Sequence, residues 1–142
     1  MSQIIRDITE IARCGAEYRA VQLTPMGLKG CHASYLSEIC ADPGISQDKL
    51  AQRICINKSN IARQVAFLEE EGFVTRSTAP QDKRVMQLYT TEKTLALLPQ
   101  ITAVLTCWED CITKELTGDE VQLLTLLLAK MKVRATQWME AH

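Results

Sequence analysis

The chain has 142 residues, 46% of them apolar and 23% charged, with a formal net charge of −1 at pH 7. That is the make-up of one ordinary globular domain able to bury a substantial core, and the neutral total by itself gives no sign of nucleic-acid binding. Arg6, Asp7, Glu10, Arg13, Glu17 and Arg19 break up the first twenty residues, so no signal peptide is expected; no uninterrupted apolar stretch looks long enough to span a bilayer, and a cytoplasmic protein is expected.

In chain order, Ile4, Ile5, Ile8, Ile11, Ala12 and Tyr18 form the apolar stripe of an amphipathic N-terminal helix. Thr24 and Pro25 read as the N-cap and first residue of a helix running through Ile39. Ser46 is a good cap for a short helix carrying Leu50, Ala51 and Ile54 on one face, and Asn57 can cap the next one. In that second helix Ile61, Val65 and Leu68 fall at core spacing, and Gly72 supplies a left-handed stop after Glu71. Residues 73–76 and 85–89 read as two strands, joined through a turn and tip from Pro80 to Arg84. From Leu95 to Leu116 the chain is strongly apolar, with Pro99 predicting a kink or a later helix start. Thr117-Gly118-Asp119-Glu120 is a capping-box sequence opening a last helix that is apolar over more than one face. Exposed on a monomer, that helix predicts dimerisation through the first and last helices.

The segment 45–91 therefore has the layout of a winged helix-turn-helix: short helix, tight turn, polar second helix, basic hairpin. Charge supports this. Between Ile45 and Leu68 four cations, Lys49, Arg53, Lys58 and Arg63, face Asp48 as the single acid, and Lys83 and Arg84 add a basic point at the hairpin tip. Ser59, Asn60, Arg63 and Gln64 carry the short amides and forked donors that base edges require, and Lys58 suits a phosphate. Arg84 would reach the adjacent minor groove. Ser46, Arg76 and Lys83 complete the expected DNA-facing set.

Leu23-Thr24-Pro25, then Ser46-Gln47-Asp48-Lys49-Leu50-Ala51, then Leu68 through Arg76, then Asp82-Lys83-Arg84 with Leu88 and Thr91 occur in an order that resembles the MarR (multiple-antibiotic-resistance repressor) family of winged-helix regulators. The resemblance implies a mainly α fold with a small β-wing and with N- and C-terminal dimerisation helices. Residues 1–142 would form a single domain, with a DNA-binding lobe over 24–91 and a helical dimerisation region over 1–22 and 95–142. It implies a repressor that binds a pseudo-palindromic site on double-stranded DNA as a homodimer and is released by a small, aromatic or anionic effector. Asp82 would brace the wing arginine by an ion pair. Two departures are visible: Thr90 stands where an apolar strand residue is usual and Thr94 where a glycine often follows the wing, which bears on where the second strand ends.

Arg13, Tyr18, His32 and Tyr35 are the expected neighbours of an effector. Six cysteines, at positions 14, 31, 40, 55, 107 and 111, lack the spacing of a metal site, and neither a metal nor a cofactor is expected. Cys14 lies in the first helix, where peroxide-sensing members of the family carry a reactive thiol, so a redox-sensing repressor is the alternative. A second alternative is a winged helix kept for protein contacts alone. No nucleophile elbow, phosphate loop or dinucleotide fingerprint occurs, so an enzyme is not expected.

Overall fold

The computed structural model of the chain describes residues 2–142. The chain divides into two compact units, the first ending at Trp108 and the second beginning at Glu109.

In the first unit, helix α1 (Gln3–Leu23) starts where the Ser2 hydroxyl accepts the Ile5 N–H. It ends at Thr24, whose backbone N–H and hydroxyl both bond to the Ala20 carbonyl. Thr24 is thus a helix terminator, correcting the expectation that it opens the next helix. Thr24–Met26 is a single 3-10 turn, stopped by Gly27 in the left-handed region at φ 79°, and α2 begins only at His32, spanning His32–Ala41. The proline directs the turn as expected, but the glycine two residues later breaks the run before an α-helix can propagate.

Strand β1 (Ile45–Ser46) leads into α3 (Gln47–Arg53), where Ser46 Oγ accepts the Lys49 N–H at 3.1 Å. Helix α4 (Lys58–Glu70) is capped by Asn57 as the sequence predicts, and Gly72 stops the chain after it with φ 83°. Strands β2 (Val74–Thr78) and β3 (Met86–Thr90) form the hairpin. The sheet order is β1-β3-β2 and all pairs are antiparallel, with Ile45 opposite Leu88 and Arg76 opposite Leu88 on its other side. Strand β3 runs through Thr90, which pairs with Val74. The two departures are absorbed locally: Thr94 is fully buried and its hydroxyl donates to the Phe73 carbonyl at 2.6 Å, closing the end of the wing with a side chain.

Leu36, Ile39, Leu50, Ile61, Val65, Leu68, Leu88 and Ile101 interlock as the core, so each predicted apolar stripe of α3 and α4 faces inward. Helix α5 (Glu92–Ile112) continues through Pro99, which removes one backbone donor without ending it. Although no apolar stretch in it is uninterrupted, α5 is by length and composition alone apolar enough to cross a bilayer, with mean hydropathy 1.3. Its Ile101 and Val104 nevertheless belong to the core of the first unit.

The second unit is dominated by α6 (Gly118–Ala141). Its capping box is complete: the Glu120 N–H donates to Thr117 Oγ1 at 3.2 Å and the Thr117 N–H to Glu120 Oε1 at 2.9 Å. No residue of α6 is buried, and Leu123, Leu124, Leu126, Leu127, Leu128 and Met131 all stand exposed.

Candidate nucleic-acid interface

The first turn of α4 is built around one side chain. Asn57 Oδ1 accepts the Asn60 N–H at 2.8 Å and the Ser59 hydroxyl at 2.9 Å, which satisfies an orphan helix donor and holds Ser59 at the same time. Asn60 Oδ1 in turn accepts from Arg63 Nη2 at 3.1 Å. Lys58 lies 3.6 Å from Asp48 on α3, with both side chains exposed. Pairs of this kind at a wet surface are weak and readily exchanged for a stronger anion or a base edge.

The wing presents a second polar point. Asp82 accepts three hydrogen bonds from Arg84: the backbone N–H at 3.0 Å, Nε at 3.1 Å and Nη2 at 3.3 Å. Those Arg84 hydrogen bonds hold the Asp82 carboxyl below the usual carboxylate range. The Arg84 side chain remains 91% exposed, free to reach outward while its base is fixed. The hairpin is tied to the helices through β1, and a small cavity of about 120 Å³ is shared by Ser46, Gln47 and Asp48 at the start of α3 and by Arg84, Val85 and Met86 of the hairpin. The beginning of α3 is thus the meeting point: Asp48 touches Lys58 of α4 and faces the same cavity as Arg84.

Three predicted contact residues are placed differently. Ser46 spends its hydroxyl on capping α3. Arg76 is paired with Glu69 at 2.9 Å through Nη2 and 3.2 Å through Nε, a strut between β2 and α4 that keeps the Glu69 carboxyl below its ordinary range. Gln64 is half-buried and turned toward α2, its Oε1 2.8 Å from His32 Nε2. Lys83 stays exposed at the tip beside Arg84.

The expected effector residues also separate. Among α1, α2, α4 and α5 lies an open groove of about 350 Å³ lined by Arg19, Cys31, Tyr35, Ile54, Asn60 and Leu105 among others. Of the residues proposed from sequence, Tyr35 reaches it; burial pushes its hydroxyl up to about 12. His32 does not line that groove but is a fully buried core histidine with both ring nitrogens bonded. Tyr18 stacks on Trp108 at 5.3 Å. Arg13 is held on the exposed side of α1 by Glu10 and by Glu17 at 2.6 Å. Arg19 and Asn60 are groove residues that sequence reading did not assign to it; nothing local marks them, because the groove is assembled from four separate helices. Cys14 lies half-buried 3.6 Å from Arg13 Nη2 and 3.9 Å from Glu10 Oε1, a single thiol within an ion-pair cluster. Among the described residues no group of three or more metal-ligating side chains occurs.

The model of the MarR family matches residues 32–86, the stretch that contains α2, α3, α4 and most of the hairpin. The fold agrees over nearly the whole chain with a SlyA transcriptional regulator, at TM-score 0.91, 27% identity and 96% coverage of both chains. Over that stretch in sequence, and over nearly its whole length in fold, the chain is MarR-like. A relative from Bacillus subtilis (strain 168), the uncharacterised helix-turn-helix-type transcriptional regulator YybA, is 27% identical over 93% of this chain and 88% of its own length. A MarR-family regulator from Listeria monocytogenes, solved in complex with a 26-mer DNA, matches at TM-score 0.91 and 29% identity over 98% of this chain and 93% of the other. The relative and the solved structures that the chain matches are transcriptional regulators.

Proposed function

We propose that this MarR-like chain is a cytoplasmic repressor that binds a pseudo-palindromic operator as a homodimer and is released by a small anionic, aromatic effector. The observation that carries the reading is the convergence at the start of α3, where Asp48 engages Lys58 of α4 and shares a cavity with the wing residue Arg84. One reading head thereby offers a polar helix surface for a major groove and an arginine for the flanking minor groove. Lys58, Ser59, Asn60, Arg63 and Gln64 are the helix contacts, Lys83 and Arg84 the wing contacts, and Asp82 the brace.

The exposed leucines of α6 support the homodimer, as does, separately, the exposed row Ile4, Ile5, Ile8 and Ile11 of α1. Soluble monomers rarely leave such runs uncovered. A two-fold dimer would set two α4 helices roughly 34–36 Å apart, one turn of DNA. The groove at Arg19 and Tyr35 supports the effector: a guanidinium for the anion, with Ile54 and Leu105 as apolar walls for a ring. Asn60 belongs to both groove and helix surface, so an occupant there contacts a residue that DNA also needs. Release requires only that the effector bind the DNA-free arrangement better.

The test is a gel shift on the DNA upstream of the chain's own gene, titrated with salt and then with salicylate-like carboxylates. A shift whose log affinity falls linearly with log salt is expected. Absence of any shift, there and on a random-sequence pool, would leave a protein-contact role as the better reading.

A further inference from the structure

His32 is enclosed on every side that matters to its chemistry. Its exposure is zero. It stacks on Phe67 of α4 at 5.1 Å and 19°, and it meets Tyr35 edge-on at 5.9 Å. The Lys29 backbone N–H donates to His32 Nδ1 at 3.0 Å. A backbone N–H can only donate, so Nδ1 carries no proton, and in the neutral ring the proton sits on Nε2. Nε2–H lies 2.8 Å from the Gln64 amide. Two donors cannot face each other, so the end of the amide turned inward is the carbonyl oxygen. The orientation of Gln64 follows from a backbone donor three residues upstream of the histidine and needs no separate assignment.

The consequence concerns base reading. A free glutamine on a recognition helix reads adenine with both ends of its amide, accepting from N6–H and donating to N7. With its oxygen turned inward onto His32 Nε2–H, Gln64 presents its two N–H donors outward. We propose that His32 is a specificity-determining residue that never touches DNA: by holding the Gln64 carbonyl inward it makes Gln64 a donor-only reader, suited to guanine O6 or to thymine O4 and unsuited to the paired contact with adenine. This rests on the reading of α4 as the helix that enters the major groove. His32 is a positioning residue, and its effect is on which base is chosen, not on how tightly the backbone is held.

The test is selection of binding sites from a random duplex pool by the full chain, followed by affinities on single-base variants at one salt concentration. The wild type should select guanine or thymine at one base pair of each half-site, and Gln64→Met should flatten that position alone. His32→Phe keeps a ring on Phe67 but releases the carbonyl, so adenine should rise about tenfold relative to guanine at that base pair. The salt slope should stay as in the wild type, because phosphate contacts are untouched. A folded His32→Phe with unchanged base preference overturns the proposal. If His32→Phe does not fold, Gln64→Glu decides instead: it keeps an acceptor for Nε2–H but has no outward donor, so the guanine or thymine preference should vanish, and its persistence overturns the proposal. Failure of the wild type to select any sequence overturns the DNA reading of α4 itself. Selection by the wild type that Gln64→Met leaves intact removes this inference alone.

Discussion

Asp82 and Arg84 form a closed ring at the wing tip, one carboxylate gripping both the backbone and the guanidinium of the arginine two residues on. An acid placed there should repel DNA if it does nothing else. As a brace, it should instead strengthen binding by keeping Arg84 extended. Asp82→Ala is therefore expected to weaken operator affinity several-fold, and Arg84→Ala to weaken it across all sequences while lowering the salt slope by about 1. Tighter binding by Asp82→Ala would show that the carboxylate only repels.

His32 gives the fold a pH dependence whose sign follows from burial. Burial first, then the nearby Lys29 charge, push its pKa below the ordinary 6.5, while the Gln64 bond pulls the other way. The unfolded chain therefore takes up a proton before the folded one does. Stability should be full above about pH 6.5 and fall as the pH drops from there toward the depressed folded value. Urea melts of wild type and His32→Phe at pH 7.5 and 5.5 measure this; an equal loss in both proteins would place the sensitivity elsewhere.

Cys55 occupies the turn between α3 and α4 with φ 60°, the left-handed region, without being glycine. Such a conformation costs about 1–2 kcal/mol for a residue bearing a Cβ. Cys55→Gly should recover part of that, less the entropy that glycine adds to the unfolded chain, and raise Tm by about 2–4 °C. A lower Tm would mean that the thiol makes contacts worth more than the strain.

Asn57 serves two partners, so its loss should be felt twice. Asn57→Ala is expected to cost about 1 kcal/mol as a missing cap and to lower DNA affinity by freeing Ser59. Asn57→Asp should restore the stability in thermal melts. Equal affinity of Asn57→Ala and wild type would exclude a role for the held Ser59.

If the exposed leucines of α6 are covered by a second copy, a charge among them should separate the copies. Leu127→Glu is expected to sediment as a monomer and to lose operator binding at concentrations where the wild type binds. A wild-type monomer in the same experiment would contradict the homodimer outright.

How much of this was readable in the sequence depended on distance along the chain. Caps at Ser46, Asn57 and Thr117, the stripe Ile61-Val65-Leu68 and the stop at Gly72 all involve residues within a few positions of one another, and each is found where local chemistry puts it. The two-residue β1 carries no periodicity and exists only because Ile45 and Ser46 pair with Leu88 and Gln87. Gln64 looked like a base-reading side chain by type; what engages it is His32, half a lobe away in sequence. Arg76 was expected to face DNA by its charge, and Glu69 takes it up instead. The groove had no signature, since its walls come from separate helices. Sequence ranked side chains by what they are able to do, and long-range packing decided which of them were left free to do it.

The three-stranded sheet has one further consequence. Register is locked at the root of the hairpin, where β3 lies between β1 and β2, and beyond Thr78 and Met86 one more cross-hairpin bond, from the Ala79 N–H to the Val85 carbonyl, precedes the tip from Pro80 to Arg84. Residues can be added or removed at that tip without shifting a single side chain from one face of the sheet to the other. On the proposed reading, the reach of the wing along DNA would thus be adjustable independently of the helix that enters the groove, so that one scaffold could fit operators of different shape by changing the length of a loop.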